Sequence, residues 1–189
     1  MHSLSVIITV ATLAFIGTMF DNFFAFAAQL ALTPIEHFKK VTIAQALGVG
    51  TLILLSAVAS SVLLSVPTRW VGVLAVAPWA LAAYGWHHRN DQARAHYRRG
   101  AATTYLITLA LGGDNIAVWV PLLRANGSAR EVLTLTLFAV WEAVFLVSAR
   151  SLAVHPRVIA WGSRYSRILV PIVYVGLGIL ILIECGTFS

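Results

Sequence analysis

The chain has 189 residues, 59% of them hydrophobic and 11% charged, with a mean hydropathy of +0.85. A soluble domain is typically ~45–50% apolar and ~25% charged, so the composition excludes an ordinary soluble domain and predicts an integral membrane protein. The formal charge of +6 lies between apolar runs, where it reads as topology signal and contact with lipid headgroups, not as a nucleic-acid surface, and the single cysteine, Cys185, excludes an intramolecular disulfide or a multi-thiolate metal site.

A helix needs about 20 apolar residues to cross a bilayer. Six runs approach or exceed that length: 4–32, 41–66, 70–86, 101–123, 131–149 and 168–185. They predict one transmembrane domain over 1–189, all-α, with six transmembrane helices. The first run lacks a basic n-region and a small-residue cleavage site, so it is expected to be retained. It carries Thr18, Asp21 and Asn22, and the second carries Gln45 near its start. The third leads into the polar stretch HHRNDQARAHYRRG, 87–100. Its three histidines offer metal ligands, but a solvated basic loop is the simpler reading. The fourth holds LALGGDNIAVWVP, 109–121; the fifth holds Glu142; the sixth ends at Glu184 and Cys185, where an interfacial role is expected.

No Lys or Arg falls inside these runs. Ten of the 13 basic residues lie in the first, third and fifth connections, and Arg69, Arg124 and Arg130 lie on the other side. The positive-inside rule then predicts both termini outside the cytoplasm, with Trp70, Trp86, Tyr97, Tyr105 and Trp161 as an interfacial belt.

The doublet Asp-Asn occurs twice, at 21–22 and 114–115, an offset of 93 residues that also relates Pro78 to Pro171 and Gly85 to Gly178. Halves of three segments each (about 1–86 and 101–185, joined by the basic cytoplasmic loop 87–100) would be inverted in the membrane. Inverted repeats are a recurrent transporter plan with the site near the midplane.

Asp21, Asp114 and Glu142 fall well inside predicted segments, and no Lys, Arg or His shares those segments. Intramembrane charges are costly and ordinarily paired. The compensating positive charge must therefore be supplied by protons or by an external cation. Around the doublets, Thr18 shares a helical face with Asp21 and Asn22. Gly112 and Gly113 lower helix propensity, and Pro121 removes a backbone donor and frees a carbonyl near Ala117. Two aspartates, Asn22, Asn115 and freed carbonyls make an all-oxygen site suited by itself to hard divalent cations or to protons. Gln45 and Glu142 are candidates for second-layer support or proton coupling, with a protonated packing residue as the alternative for Glu142. For Asn22 and Gln45 the plainer alternative is hydrogen bonding between helices.

At these residues the chain resembles the cadmium resistance transporter family of the lysine exporter superfamily. GTMFDN (17–22), QALG (45–48), VPTRWVG (66–72), GGDNIAVWVP (112–121) and YSRILVPIVYVGLGILILIE (165–184) carry the resemblance in order along nearly the whole chain. It implies a multi-pass exporter of a divalent metal, cadmium first, in the bacterial plasma (inner) membrane. Asp21 and Asp114 would be the transport site, with Asn115 and Thr18 as helpers. Leu111 departs from relatives that place Cys or Asn there. The expected mechanism is alternating access driven by an ion gradient, with protons displaced from the aspartates. The sequence has no G-x-x-x-x-G-K-[ST] nucleotide loop, and neither a resident cofactor nor enzymatic chemistry is expected. Membrane lipid and the metal are the expected partners, and Gly176 and Gly178 leave a homo-oligomer open. The alternatives are export of a basic amino acid, an intramembrane aspartyl protease, and a membrane scaffold.

Overall fold

The computed structural model describes residues 4–65, 76–87, 100–126 and 128–184. Some side chains within them, that of Asp21 included, fall outside the description, as do VPTRWVG, residues 88–99 of the histidine-bearing loop, and Cys185. All regular structure among the described residues is helical. The helices are α1 (Leu4–Ala31), α2 (Phe38–Val62), α3 (Val76–His87), α4 (Ala101–Leu111), α5 (Gly113–Asn126), α6 (Ser128–Leu152) and α7 (Pro156–Glu184). Single 3₁₀ turns lead into and out of α2, at Ile35–His37 and Leu63–Ser65.

By length and composition, Ile35–Val62 and Arg130–Leu152 are each able to cross a membrane. Two bent pairs, Leu4–Phe20 with Asn22–Ala31 and Ala101–Leu111 with Gly113–Asn126, bring the number to four if each is one span. The polarity of the bundle agrees with this. Leu13, Leu47, Leu54, Val140, Val147 and Ile172 point outward, while Thr18, Asn22, Gln29, Gln45, Asn115 and Glu142 are buried. A surface of large aliphatics around an interior that holds the polar groups is what a lipid solvent selects.

α1 packs against α6 and α7, α2 against α4 and α5, and α3 along α7. The α3–α7 contact is tied by Trp79, whose indole N–H donates to the Val175 carbonyl at 3.2 Å. Gly178 faces that same indole, and a methyl group there would collide with it.

Two boundaries differ from the sequence expectation. The sixth segment, expected from 168, lies within a helix that begins at Pro156. Arg157, Arg164 and Arg167 end an apolar run but do not end a helix, because charged side chains on a helix lose nothing by facing water. Proline at the first helical position gives up no hydrogen bond. The second difference is in the fourth segment. It divides at Gly112, with a 56° bend between α4 and α5, and helix α5 continues through Pro121. The helix break therefore falls at Gly112 and not at Pro121, which lies inside α5. At Gly112 the ladder tightens to an i→i−3 bond, from the Gly112 N–H to Leu109 O at 3.2 Å, before helix resumes with Ile116 N–H to Gly112 O at 3.2 Å. Leu52 of α2 packs so closely on Gly112 that any Cβ would overlap its methyl groups. One turn earlier, a Cβ on Gly48 would come to 2.7 Å from Thr108 Cγ2. Glycine at both positions lets α2 and α4 approach closely and seats Leu52 at the bend.

Candidate metal site

The two bends coincide with the two Asp-Asn doublets. α1 turns by 49° between Phe20 and Asn22, at Asp21, and the α4–α5 unit turns by 56° at Gly112, two residues before Asp114. Asp114 is thereby placed in the first turn of α5, where backbone N–H groups lack helical partners and favour a carboxylate. Its Oδ1 accepts the Asn115 backbone N–H at 2.8 Å. The opposite end of the break is the C-terminus of α4, whose Leu109 carbonyl accepts the Gly112 N–H. Broken helices of this kind supply ion sites in transporters.

Asn22 and Asn115 converge on one atom. The Asn115 side-chain amide donates to Met19 Sδ at 3.5 Å, and that of Asn22 points to the same sulfur at 3.8 Å. Met19 is buried within α1, and Asn115 is fully buried. Thr18 is fully buried beside them. Its hydroxyl proton is spent on Ala14 O at 2.9 Å, which leaves its oxygen as an acceptor. Thus Asn22 and Asn115 of the predicted set are brought together at one sulfur and Asp114 adjoins them through Asn115, while the Thr18 hydroxyl turns to its own helix. Gln45 is not at the sulfur: its Oε1 accepts the Thr108 hydroxyl at 2.6 Å, joining α2 to α4. A parallel bond, Gln29 Nε2 to Thr104 Oγ1 at 2.6 Å, joins α1 to α4 one turn away.

Aromatic side chains fix the level of Glu142. Phe15, Trp119 and Phe138 form a layer between α1, α5 and α6, with ring centroids 5.8, 5.7 and 4.7 Å apart. Met19, Asn115 and Glu142 each stand four residues from one member of that trio, on the same helical face and on the same side. Beyond them Phe145 closes on Phe23 and Phe26, with centroids at 5.4 and 6.0 Å. Met19 and Asn115 meet at the sulfur, and helical spacing sets Glu142 at their level, between the Phe15–Trp119–Phe138 rings and Phe145. Glu142 is only 6% exposed, and neither of its carboxylate oxygens has a hydrogen-bond partner; Asn115 Oδ1 is in the same condition.

Among the described residues, no three His, Cys, Asp or Glu side chains gather tightly enough to hold a metal ion. Such a group would not include thioethers or amides, which are what the doublets bring together. The sequence reading missed Met19 because it asked only for thiolate as a soft donor. The available signal was its place between Thr18 and the Asp21-Asn22 doublet.

The sequence matches the profile of the family described as cadmium resistance transporter over residues 15–189. The chain belongs to the cadmium resistance transporter family. No curated protein and no solved structure shows significant similarity to it. Membership makes this a multi-pass transporter with a metal ion as substrate.

Proposed function

We propose that the protein is a secondary transporter that exports a divalent cation, cadmium first, across the bacterial plasma membrane by alternating access coupled to protons. In this reading its six segments form two inverted repeats, and both termini are extracytoplasmic. The observation that carries the reading is the meeting of the asparagines of two sequence-distant Asp-Asn doublets, each doublet at a helix bend, on one buried sulfur. Helix bends deep in a bundle are tolerated where the irregular backbone is buried in protein or lines a cavity. Asp21 and Asp114 would attract the cation, Asn22, Asn115 and Thr18 would complete its shell, and protons would occupy the carboxylates on the return step. Gln45 would hold α4 against α2 so that the Gly112 bend keeps its shape. Glu142 supplies a further carboxylate in a core without a basic partner.

The test is Cd²⁺ accumulation in cells expressing wild type, Asp21→Asn or Asp114→Asn at matched levels. Wild type is expected to lower accumulation and both variants to lose that effect. Equal export by all three would sink the central role of the aspartates. A change in lysine efflux without a metal phenotype would favour a basic amino acid as substrate.

A further inference from the structure

We propose that Met19 Sδ is a ligand to the transported cation, together with Asn115 Oδ1 and the Glu142 carboxylate, and that this sulfur makes the site prefer soft cations such as Cd²⁺ over hard ones such as Mn²⁺. The inference rests on the transport reading above and adds Met19 and Glu142 to the ligands that reading names.

Three observations support it. First, this level of the bundle contains three buried oxygen atoms without partners: Asn115 Oδ1, Glu142 Oε1 and Glu142 Oε2. Buried polar atoms are nearly always satisfied, so three at one level mark a place where something else binds. Asn115 Oδ1 is an acceptor, and both Glu142 oxygens become acceptors when the carboxyl gives up its proton, as a metal ligand must. Second, the Asn115 amide spends its N–H on a thioether, a weak acceptor, and leaves its carbonyl oxygen unused. A half-turn about its terminal torsion would exchange the two and direct oxygen at the atoms around the sulfur. Third, Met19 is 2% exposed and its sulfur is approached by polar groups from both doublets, where a core methionine would ordinarily meet only apolar neighbours. Thioether sulfur is a soft donor and adds little for hard oxygen-seeking ions. One sulfur, one amide oxygen and one carboxylate beside Asp114 give a mixed shell in which the sulfur is the discriminating atom.

The sequence makes the test clean, because its only sulfur atoms belong to Met1, Met19 and Cys185. Full-length protein carrying Cys185→Ser is purified, loaded with Cd²⁺ alone and examined by X-ray absorption at the cadmium edge. A sulfur neighbour is expected and should vanish when Met19→Leu is added; an oxygen-and-nitrogen shell in the Met19 protein would overturn the proposal. In binding titrations, even loss of an outer-shell partner of a metal ligand typically costs about 10–100-fold in affinity. Met19→Leu and Glu142→Gln should therefore each weaken Cd²⁺ at least roughly tenfold. Met19→Leu should leave Mn²⁺ within a factor of about two, whereas Glu142→Gln should weaken both metals. Met19→Cys should restore Cd²⁺ binding to the leucine variant. A cysteine variant that is thermally stable yet binds as weakly as the leucine variant counts against a ligand role. If Asp114→Asn abolishes Cd²⁺ binding and export while Met19→Leu matches wild type, this inference fails and the transport reading stands. If Asp114→Asn changes neither, the central role of the aspartates in the transport reading fails.

Discussion

Met19 and Asn115 are 96 residues apart in the chain, yet Met19 Sδ and Asn115 Nδ2 lie 3.5 Å apart in the bundle core. This contact ties α1 to α5 at the two Asp-Asn doublets. It makes the geometry of one doublet depend on the helix bend that positions the other. The bend at Gly112 should therefore be a structural determinant of the site, although Gly112 itself carries no ligand.

Substituting Gly112 by alanine tests that dependence. The added methyl group has no room beside Leu52, and overpacking of this kind costs ~1–3 kcal/mol. Gly113→Ala is the control, since nothing lies within 4 Å of a Cβ placed there. Thermal unfolding in detergent should show a clear loss for Gly112→Ala, little for Gly113→Ala, and partial recovery in Gly112→Ala/Leu52→Ala. Equal effects at the two glycines would mean that the close approach of α2 is not what shapes the bend.

The hydrogen bonds on α4 should matter less. Thr104 and Thr108 reach Gln29 and Gln45 on different helices, each at 2.6 Å. Side-chain hydrogen bonds between helices in membrane proteins average about 0.6 kcal/mol in double-mutant cycles. Each threonine also contacts a carbonyl of its own helix, Gly100 O and Thr104 O, both at 2.9 Å. Thr108→Val with Gln45→Leu should thus show a coupling energy below ~2 kcal/mol. Cd²⁺ export should be reduced but not abolished. Complete loss of export at normal expression would place Gln45 in the transport path itself.

How much of this was legible in sequence depends on the kind of signal. Apolar run length marked Leu4–Ala31, Phe38–Val62 and Ser128–Leu152 to within a few residues, because burial in lipid writes itself into composition. It missed the first three turns of α7, since Arg157, Arg164 and Arg167 interrupt the apolar run while the helix continues. The duplicated Asp-Asn pairs were visible as a repeat. Which of their atoms meet is a tertiary fact that no spacing reports. A methionine in a hydrophobic segment is indistinguishable from packing until a polar group from elsewhere in the chain is found touching its sulfur. Glu142 stood out as a carboxylate in an apolar segment, but its level in the bundle came only from the rings of Phe15, Trp119 and Phe138.

Glu142 offers a case where stability and function should part. Its two carboxylate oxygens are buried without hydrogen bonds, and an unsatisfied buried polar group costs about 1–3 kcal/mol. Replacing it by an apolar residue of similar volume removes that cost, so Glu142→Leu should unfold at a higher temperature than wild type in metal-free detergent. The same variant should fail to lower cellular Cd²⁺. A stabilised protein that exports normally would show Glu142 to be a packing residue.

Metal itself should act as a stabiliser of the folded bundle. A ligand that binds only the native state adds RT ln(1 + [L]/Kd), about 2.7 kcal/mol at a hundredfold excess over Kd. The shell drawn here takes its atoms from α1, α5 and α6, so bound Cd²⁺ would add a further link among three helices already joined by aromatic contacts and a few side-chain hydrogen bonds. Thermal unfolding of purified protein should therefore shift upward with rising Cd²⁺, and Mn²⁺ at equal concentration should do less. In Asp114→Asn the shift should shrink or vanish, because the charge at the start of α5 is gone while the helix end and its neighbours remain. An equal Cd²⁺ shift in wild type and Asp114→Asn would locate cadmium binding elsewhere in the chain. Cys185 and the histidines of the 87–100 loop would then be the next donors to replace.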